Sequence, residues 1–184
     1  GVRLWPVSRK NYPKQFLKLI DQKHSFFQST IMRLESTNKI EFLDPIIFTS
    51  EEYRFLIAEQ LCEINVSADA IFLEPEPKNT APTIFAAIKY VESKYKDENL
   101  LILPTDHSID DRQEFSELLE QAILFGTEKY IFTFGITVVR PEIGYGYLKV
   151  SSSQNGRVLE VKKFLEKPNL ESAEKMAASS EFLW

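Results

Sequence analysis

The chain has 184 residues, of which 43% are apolar and 27% charged, and its net charge is −5. That is ordinary for a soluble globular chain long enough for one domain with a sizeable core. No apolar run approaches the about 20 residues that span a bilayer, and Cys62, the single cysteine, excludes an internal disulfide and a cysteine-built zinc site.

The charge is unevenly spread. Residues 1–23 hold six cations (Arg3, Arg9, Lys10, Lys14, Lys18 and Lys23) against one acid, Asp21, so the remaining chain carries −10. A protein that binds nucleic acid is not usually so acidic elsewhere, and a small, concentrated anion site fits better. A solvated basic loop accounts for the same charges.

In chain order, Gly1-Val2-Arg3-Leu4-Trp5-Pro6 and Pro13-Lys14-Gln15 read as part of a phosphate-gripping loop. Glycine lets the backbone pass close to a ligand, the Arg3 fork suits phosphate oxygens, and Lys14 adds a compact charge. Residues 45–49 read as a strand. Residues 51–64 read as a helix, with Phe55, Ile57, Ala58 and Leu61 at helical spacing. Residues 70–74 form the next strand. A helix begins at Asn79-Thr80-Ala81-Pro82, where Asn79 or Thr80 can cap and proline is tolerated in the first turn. Residues 99–103 are a continuous apolar run, as in a buried parallel strand, and stop at Pro104-Thr105-Asp106-His107. Residues 115–125 read as a helix and 130–136 as a strand. After Gly144-Tyr145-Gly146-Tyr147 come two strands, 147–151 and 157–164, around Ser152-Ser153-Gln154-Asn155-Gly156. A last helix covers 170–178.

Alternating strands and helices predict an α/β fold: a Rossmann-like mixed, mostly parallel sheet with helices on both faces, plus a small β-hairpin region on the substrate side. Ligands in such sheets bind beyond the carboxyl ends of the strands, where four polar clusters fall. Asp106 follows a buried strand and is placed to hold a divalent cation between phosphate oxygens; capping the next turn is the alternative. His107 is better suited to orienting that loop than to serving as a base. Glu166-Lys167-Pro168 ends the hairpin. Pro168 is expected to restrict Lys167 to extended geometry, with Glu166 available to sugar hydroxyls and Lys167 to a sugar phosphate; a surface ion pair explains them equally. Gly144-Tyr145-Gly146-Tyr147 offers close backbone approach and two flat aromatic faces for a sugar ring, or a β-bulge at a strand start.

Together these clusters resemble the sugar-phosphate nucleotidylyltransferases. Gly1-Val2-Arg3-Leu4-Trp5-Pro6-Val7-Ser8-Arg9 and Tyr12-Pro13-Lys14-Gln15-Phe16-Leu17 look like the family's signature loop, in its mannose-1-phosphate guanylyltransferase form. Glu74-Pro75 with Asn79-Thr80-Ala81-Pro82, Leu103-Pro104-Thr105-Asp106-His107, Thr133-Phe134-Gly135-Ile136, Gly144-Tyr145-Gly146-Tyr147 and Phe164-Leu165-Glu166-Lys167-Pro168 follow in family order. The resemblance implies transfer of a nucleotidyl group from GTP to mannose 1-phosphate, giving GDP-mannose and pyrophosphate, with Mg²⁺ and no covalent intermediate. It implies catalytic roles for Arg3 and Lys14, and nucleotide binding by Gly1, Arg3, Glu74, Asn79 and Thr80. It also implies a metal at Asp106, and sugar-phosphate binding by Gly146, Glu166 and Lys167. A sister enzyme using another sugar or nucleotide, or a non-catalytic regulatory relative, shares the same motifs.

Guanine presents two adjacent donors, N1–H and N2–H₂, which an acceptor-only carboxylate matches; Glu74 is therefore expected to read the base. The family pattern places two further glycines before Gly1 and an Asn-Ser-Gly segment and another Asp after Trp184. Residues 1–184 are accordingly expected to be one nucleotidylyltransferase domain truncated at both ends and catalytically poor by itself. Many bacterial members add a cupin-like phosphomannose isomerase domain. The expected location is the cytoplasm, with no nucleic-acid or membrane partner; a homodimer is left open.

Overall fold

A computed structural model describes residues 4–9, 11–19, 22–34, 39–76, 78–126, 129–151 and 157–184. Two compact units divide the chain, Gly1–Arg112 and Gln113–Trp184.

The first unit begins with a 3-10 turn, Lys14–Phe16, and helix α1, Phe26–Met32. The sequence reading missed α1, although Ser25-x-x-Gln28 is a capping-box pattern. Ser25 Oγ accepts from the Gln28 amide at 3.1 Å, and the Gln28 side chain accepts from the Ser25 amide at 2.9 Å. Strand β1, Ile46–Ser50, leads through a 3-10 turn into α2, Arg54–Glu63, and then β2, Ala70–Glu74. The two strands pair in parallel with Ile46 opposite Ala70 and Ser50 opposite Glu74. A parallel pair needs a crossover, which α2 supplies. Helix α3, Thr80–Lys94, completes the unit's secondary structure up to α4, Arg112–Gly126, which starts at its last residue.

Phe16, Phe27, Ile47, Ile57 and Leu61 form the core of this unit. The Phe16 ring lies edge-on to Phe27 at 5.9 Å and tilted to Tyr53 at 5.6 Å. Burying such a side chain contributes about 1.5–3 kcal/mol, so Phe16 anchors the turn that carries Lys14. Hydrogen bonds from a buried amide network assist it. Gln60 Nε2 donates to the Phe16 carbonyl at 3.1 Å, Ser25 Oγ donates to Gln60 Oε1 at 2.6 Å, and Gln28 Nε2 donates to the Gln60 carbonyl at 2.9 Å.

Asp69, just before β2, pairs with Lys94 at the end of α3. The hydrogen bond from Lys94 holds the Asp69 carboxyl below its ordinary 3.8, and the same bond raises Lys94. A depressed carboxylate contributes stability that is complete above its unfolded pKa and fades as pH falls through the lower folded value. The Tm difference between the wild type and Asp69→Asn should therefore stay level from about pH 5 upward through neutrality and shrink below about pH 4. A difference unchanged at low pH would mean that Asp69 acts through packing.

In the second unit, β3, Gly146–Val150, pairs antiparallel with both β4, Val161–Glu166, and β5, Phe182–Leu183. Helix α5, Leu170–Ala177, starts at Asn169, whose Oδ1 accepts from the Ser172 amide at 2.9 Å. Tyr147, Ala173 and Met176 form the core, flanked by Val138, Leu165, Phe182 and Trp184. The expected hairpin is present; its turn, 152–156, lies outside the described residues.

The expected α/β class holds, with two corrections. The runs 99–103 and 130–136 carry no strand ladder among the described residues. Only the end of the second run is paired: Ile136 exchanges backbone hydrogen bonds with Trp184 at 2.9 and 2.8 Å. Nor is either run buried as expected of a core strand: Ile102 is half exposed and Ile131 fully exposed, and a strand needs a neighbour's N–H and C=O groups beside it. Gly135 lies so close to this pairing that a Cβ there would stand 2.5 Å from Leu183 Cδ1. No described helix is long and apolar enough to cross a membrane.

Candidate functional site

The first unit brings Lys14 and Asp106 together. Lys14 Nζ lies 2.5 Å from Asp106 Oδ2, and His107 Nε2 lies 3.7 Å from Asp106 Oδ1. Lys14 is held by the Phe16 anchor. Asp106 sits in the turn after the apolar run, and Arg33 Nη2 donates to the His107 carbonyl at 3.0 Å. His107 therefore ties down the loop through its backbone. Both partners of the pair are partly exposed, with side-chain accessibilities of 41% and 36%.

No group of three or more His, Cys, Asp or Glu side chains is placed to hold a metal among the described residues. Asp106 is one carboxylate, already facing an ammonium. That donor set fits a magnesium ion that arrives on phosphate oxygens rather than a caged resident ion.

Glu74 ends β2. Its Oε1 accepts from Thr83 Oγ1, which also lies 3.4 Å from the Asn79 carbonyl. Glu74 and Thr83 line a concavity of about 430 Å³ whose other walls include Phe48, Phe72, Pro75 and Pro82. Phe48 and Phe72 stack at 4.8 Å, giving the concavity a rigid apolar floor. Asn79 stands at the N-cap of α3, but its side chain makes no capping bond; its φ of 62° belongs to the left-handed region. Thr80 is the first helical residue. Gly1 and Arg3 lie outside the described residues.

In the second unit, Gly146 pairs directly with Glu166 across the β3–β4 ladder. A Cβ at Gly146 would stand 2.5 Å from Phe164 Cζ and 3.3 Å from Glu166 Oε2, so a side chain here would have to displace the exposed Phe164 ring. Lys167 Nζ lies 3.2 Å from Glu166 Oε1, with both side chains more than half exposed.

Two expectations are corrected in this unit. Lys167 is not extended: its φ is 42°, and its amide donates to the Tyr145 carbonyl at 3.1 Å. That bond closes a turn against β3 and outweighs the preference imposed by Pro168. Tyr147 is no open sugar platform either. It is fully buried, accepts from the Glu142 amide at 2.9 Å and donates to the Glu142 carbonyl at 3.0 Å. Tyr145 is the exposed one of the two, and it meets Trp184 edge-on at 5.3 Å.

The whole chain, residues 1–184, matches the family described as nucleotidyl transferase. The chain belongs to that family. Among similar proteins, a mannose-1-phosphate guanylyltransferase of Escherichia coli is 43% identical over 100% of this chain and 40% of its own length. One from Salmonella montevideo is 41% identical, over 100% and 39%. The xanthan biosynthesis protein XanB of Xanthomonas campestris pv. campestris is 40% identical, over 100% and 38%. The chain thus spans about two fifths of the length of these relatives. A crystal structure described as a mannose-1-phosphate geranyltransferase, from Thermus thermophilus, superposes with a TM-score of 0.78. Its identity to this chain is 26%, covering 99% of this chain and 51% of that one.

For a nucleotidyl transferase, the residues that sequence reasoning overlooked are supports. Thr83 holds Glu74, Gln60 holds the Phe16 carbonyl, and Arg33 holds the His107 carbonyl. Only Ser25-x-x-Gln28 had a readable signal.

Proposed function

We propose that this chain is the nucleotidyl transferase domain of a mannose-1-phosphate guanylyltransferase, spanning both units. The sugar phosphate oxygen attacks the α-phosphorus of GTP in line, the bond to the β-phosphate oxygen breaks, and GDP-mannose and pyrophosphate form. No protein nucleophile takes part, so the protein contributes positioning and charge neutralisation. The observation that carries the proposal is the Lys14–Asp106 pair, a cation and a carboxylate held together by a buried anchor. Lys14 neutralises phosphate oxygens as the charge on them shifts, and Arg3, earlier in the same basic segment, stabilises charge on the triphosphate. Asp106 would hold Mg²⁺, which when bound supplies Lewis-acid neutralisation of the triphosphate. Lys167 takes the mannose phosphate, Glu166 the sugar hydroxyls, and Gly146 lets the backbone approach the sugar. We place the reaction in the cytoplasm.

Glu74 reads guanine. Thr83 takes one lone pair of Oε1, so both carboxylate oxygens can still accept from the two donors of the base, with backbone groups near Asn79 and Thr80 assisting. Glu74→Gln should reduce the preference for GTP over dTTP by about tenfold or more, since an unmatched buried donor costs about 1–3 kcal/mol. An unchanged preference would show that Glu74 only shapes the concavity.

Pyrophosphate release by the full-length protein, measured with mannose 1-phosphate and glucose 1-phosphate across four nucleoside triphosphates, tests the reaction. Release is expected with mannose 1-phosphate and GTP. Another productive pair would make the protein a sister transferase. Tight GDP-mannose binding with no release would make it a regulatory relative.

A further inference from the structure

Glu74 and Thr83 line the same concavity from different elements, the carboxyl end of β2 and the start of α3. Along β2, residues 70, 72 and 74 are half-buried and 71 and 73 exposed, the period of two that puts Phe72 and Glu74 on one face. Along α3, Thr83 and Tyr90 are seven residues apart, about two turns, and also share a face. The two faces meet twice. Tyr90 stands edge-on to Phe72 at 5.1 Å, and Thr83 Oγ1 donates to Glu74 Oε1. Further along, Lys94 donates to the Tyr90 hydroxyl at 3.2 Å and pairs with Asp69, the residue before β2. The helix is therefore seated on the strand along its length. The packing that fixes Phe72 in the floor of the concavity also fixes Thr83 opposite Glu74.

Thr83 is suited to holding a carboxylate still. Its branched side chain has few rotamers in a helix. Its hydroxyl has one proton, and the Asn79 carbonyl at 3.4 Å is the farther of its two acceptors. A glutamate left to rotate loses much freedom when it binds a ligand. One already held loses less, and its orientation is set before the base arrives. Among the described residues of the lining, the other charged side chains, Glu76 and Lys78, meet each other at 2.9 Å. With one lone pair of Oε1 taken, both oxygens of Glu74 can still accept from N1–H and N2–H₂ of guanine. Two donors side by side demand more of a carboxylate's orientation than one does.

We propose that Thr83 is the positioning residue of the base site, holding the Glu74 carboxylate so that it meets both guanine donors at once. This rests on the reading of Glu74 as the residue that binds guanine. It makes the Thr83 hydroxyl a determinant of selectivity for a 2-aminopurine over a purine that offers N1–H alone.

The test is calorimetric titration of GTP and of inosine triphosphate, whose base keeps N1–H and lacks the 2-amino group, into the full-length protein without sugar phosphate, with Tm measured alongside. The wild type should bind GTP at least about tenfold more tightly, the usual effect of one hydrogen bond to a charged group. Thr83→Val, which keeps the shape and removes the hydroxyl, should cut that ratio by about fivefold or more, with inosine triphosphate affinity kept within about threefold; Thr83→Ala serves the same purpose if the valine variant does not fold. Thr83→Ser, which restores the hydroxyl, should bring the ratio to within about twofold of wild type. In a Glu74→Gln background, Thr83→Val should move the ratio by less than about twofold, because the group it positions is gone. Equal losses for both nucleotides, a serine variant no better than valine, or a wild type that does not distinguish the two nucleotides would overturn the proposal. A ratio lost in Glu74→Gln but kept in Thr83→Val overturns the role of Thr83 alone. A ratio that Glu74→Gln leaves intact overturns the reading of Glu74, and this proposal with it.

Discussion

Turnover by the full-length protein carrying Asp106→Asn should fall about a hundredfold to a thousandfold, the usual loss when one group that stabilises transition-state charge is removed. Nucleotide binding measured without metal should change by less than about threefold. The two effects separate because of what Asp106 touches. Its partner in the fold is Lys14, and both ends of that pair are partly exposed. Exposed ion pairs contribute about 0–1 kcal/mol, so Tm should move by no more than about 4 °C. The amide that replaces the carboxylate keeps its shape but loses the charge that a phosphate-borne cation needs. Turnover and metal-free binding falling by the same factor would make Asp106 a structural residue, and the proposed reaction would then lose its metal site.

Gln28→Ala should produce the largest loss of stability. Gln28 is fully buried, and its side chain accepts from the Ser25 amide at 2.9 Å and donates to the Gln60 carbonyl at 2.9 Å and Glu63 Oε2 at 2.7 Å. Truncation leaves a buried donor and a buried acceptor without partners, at about 1–3 kcal/mol each. It also leaves a void. We expect a loss of about 3–5 kcal/mol, and a Tm lower by roughly 8–15 °C for a chain of this size. Gln28→Glu keeps the shape and the bond to the Ser25 amide but sets a second carboxylate beside Glu63. Its penalty should therefore shrink as pH falls toward 4, about where carboxylates take up protons. Thermal unfolding of the two variants at neutral and acid pH checks both statements. A Gln28→Ala protein as stable as the wild type would mean that the network is replaced by water. Because the same network reaches the Phe16 carbonyl, partial unfolding here should also loosen Lys14.

How much was legible depended on the kind of signal. The alternation of strands and helices from β1 to α3 could be read because burial on one face forces a period of two or 3.6 residues. The candidate residues Glu74 and Asp106 could be singled out because each stands where an apolar segment ends, and Lys14 because it adds a positive charge in a basic turn. Tyr145 and Tyr147 show the limit. As letters they are equivalent, and two positions apart in a strand they would share a face, but only Tyr147 lies in β3, while Tyr145 precedes it. Only the packing of α5 against β3 decides that Tyr147 is the core residue. As a letter, Gly146 suggests close approach to a ligand, and the structure adds that the exposed Phe164 ring lies over the position its side chain would take.

By itself the sequence determined the α/β class, the family to which the chain belongs and the residue types available for phosphate chemistry, because these rest on local pattern and motif order. The tertiary structure alone decided which of those residues meet. It set Lys14 against Asp106, put Thr83 on Glu74, and folded Lys167 back onto the Tyr145 carbonyl against the local preference set by Pro168. Such pairings depend on packing between segments far apart in the chain, and on hydrogen-bond partners that burial makes obligatory.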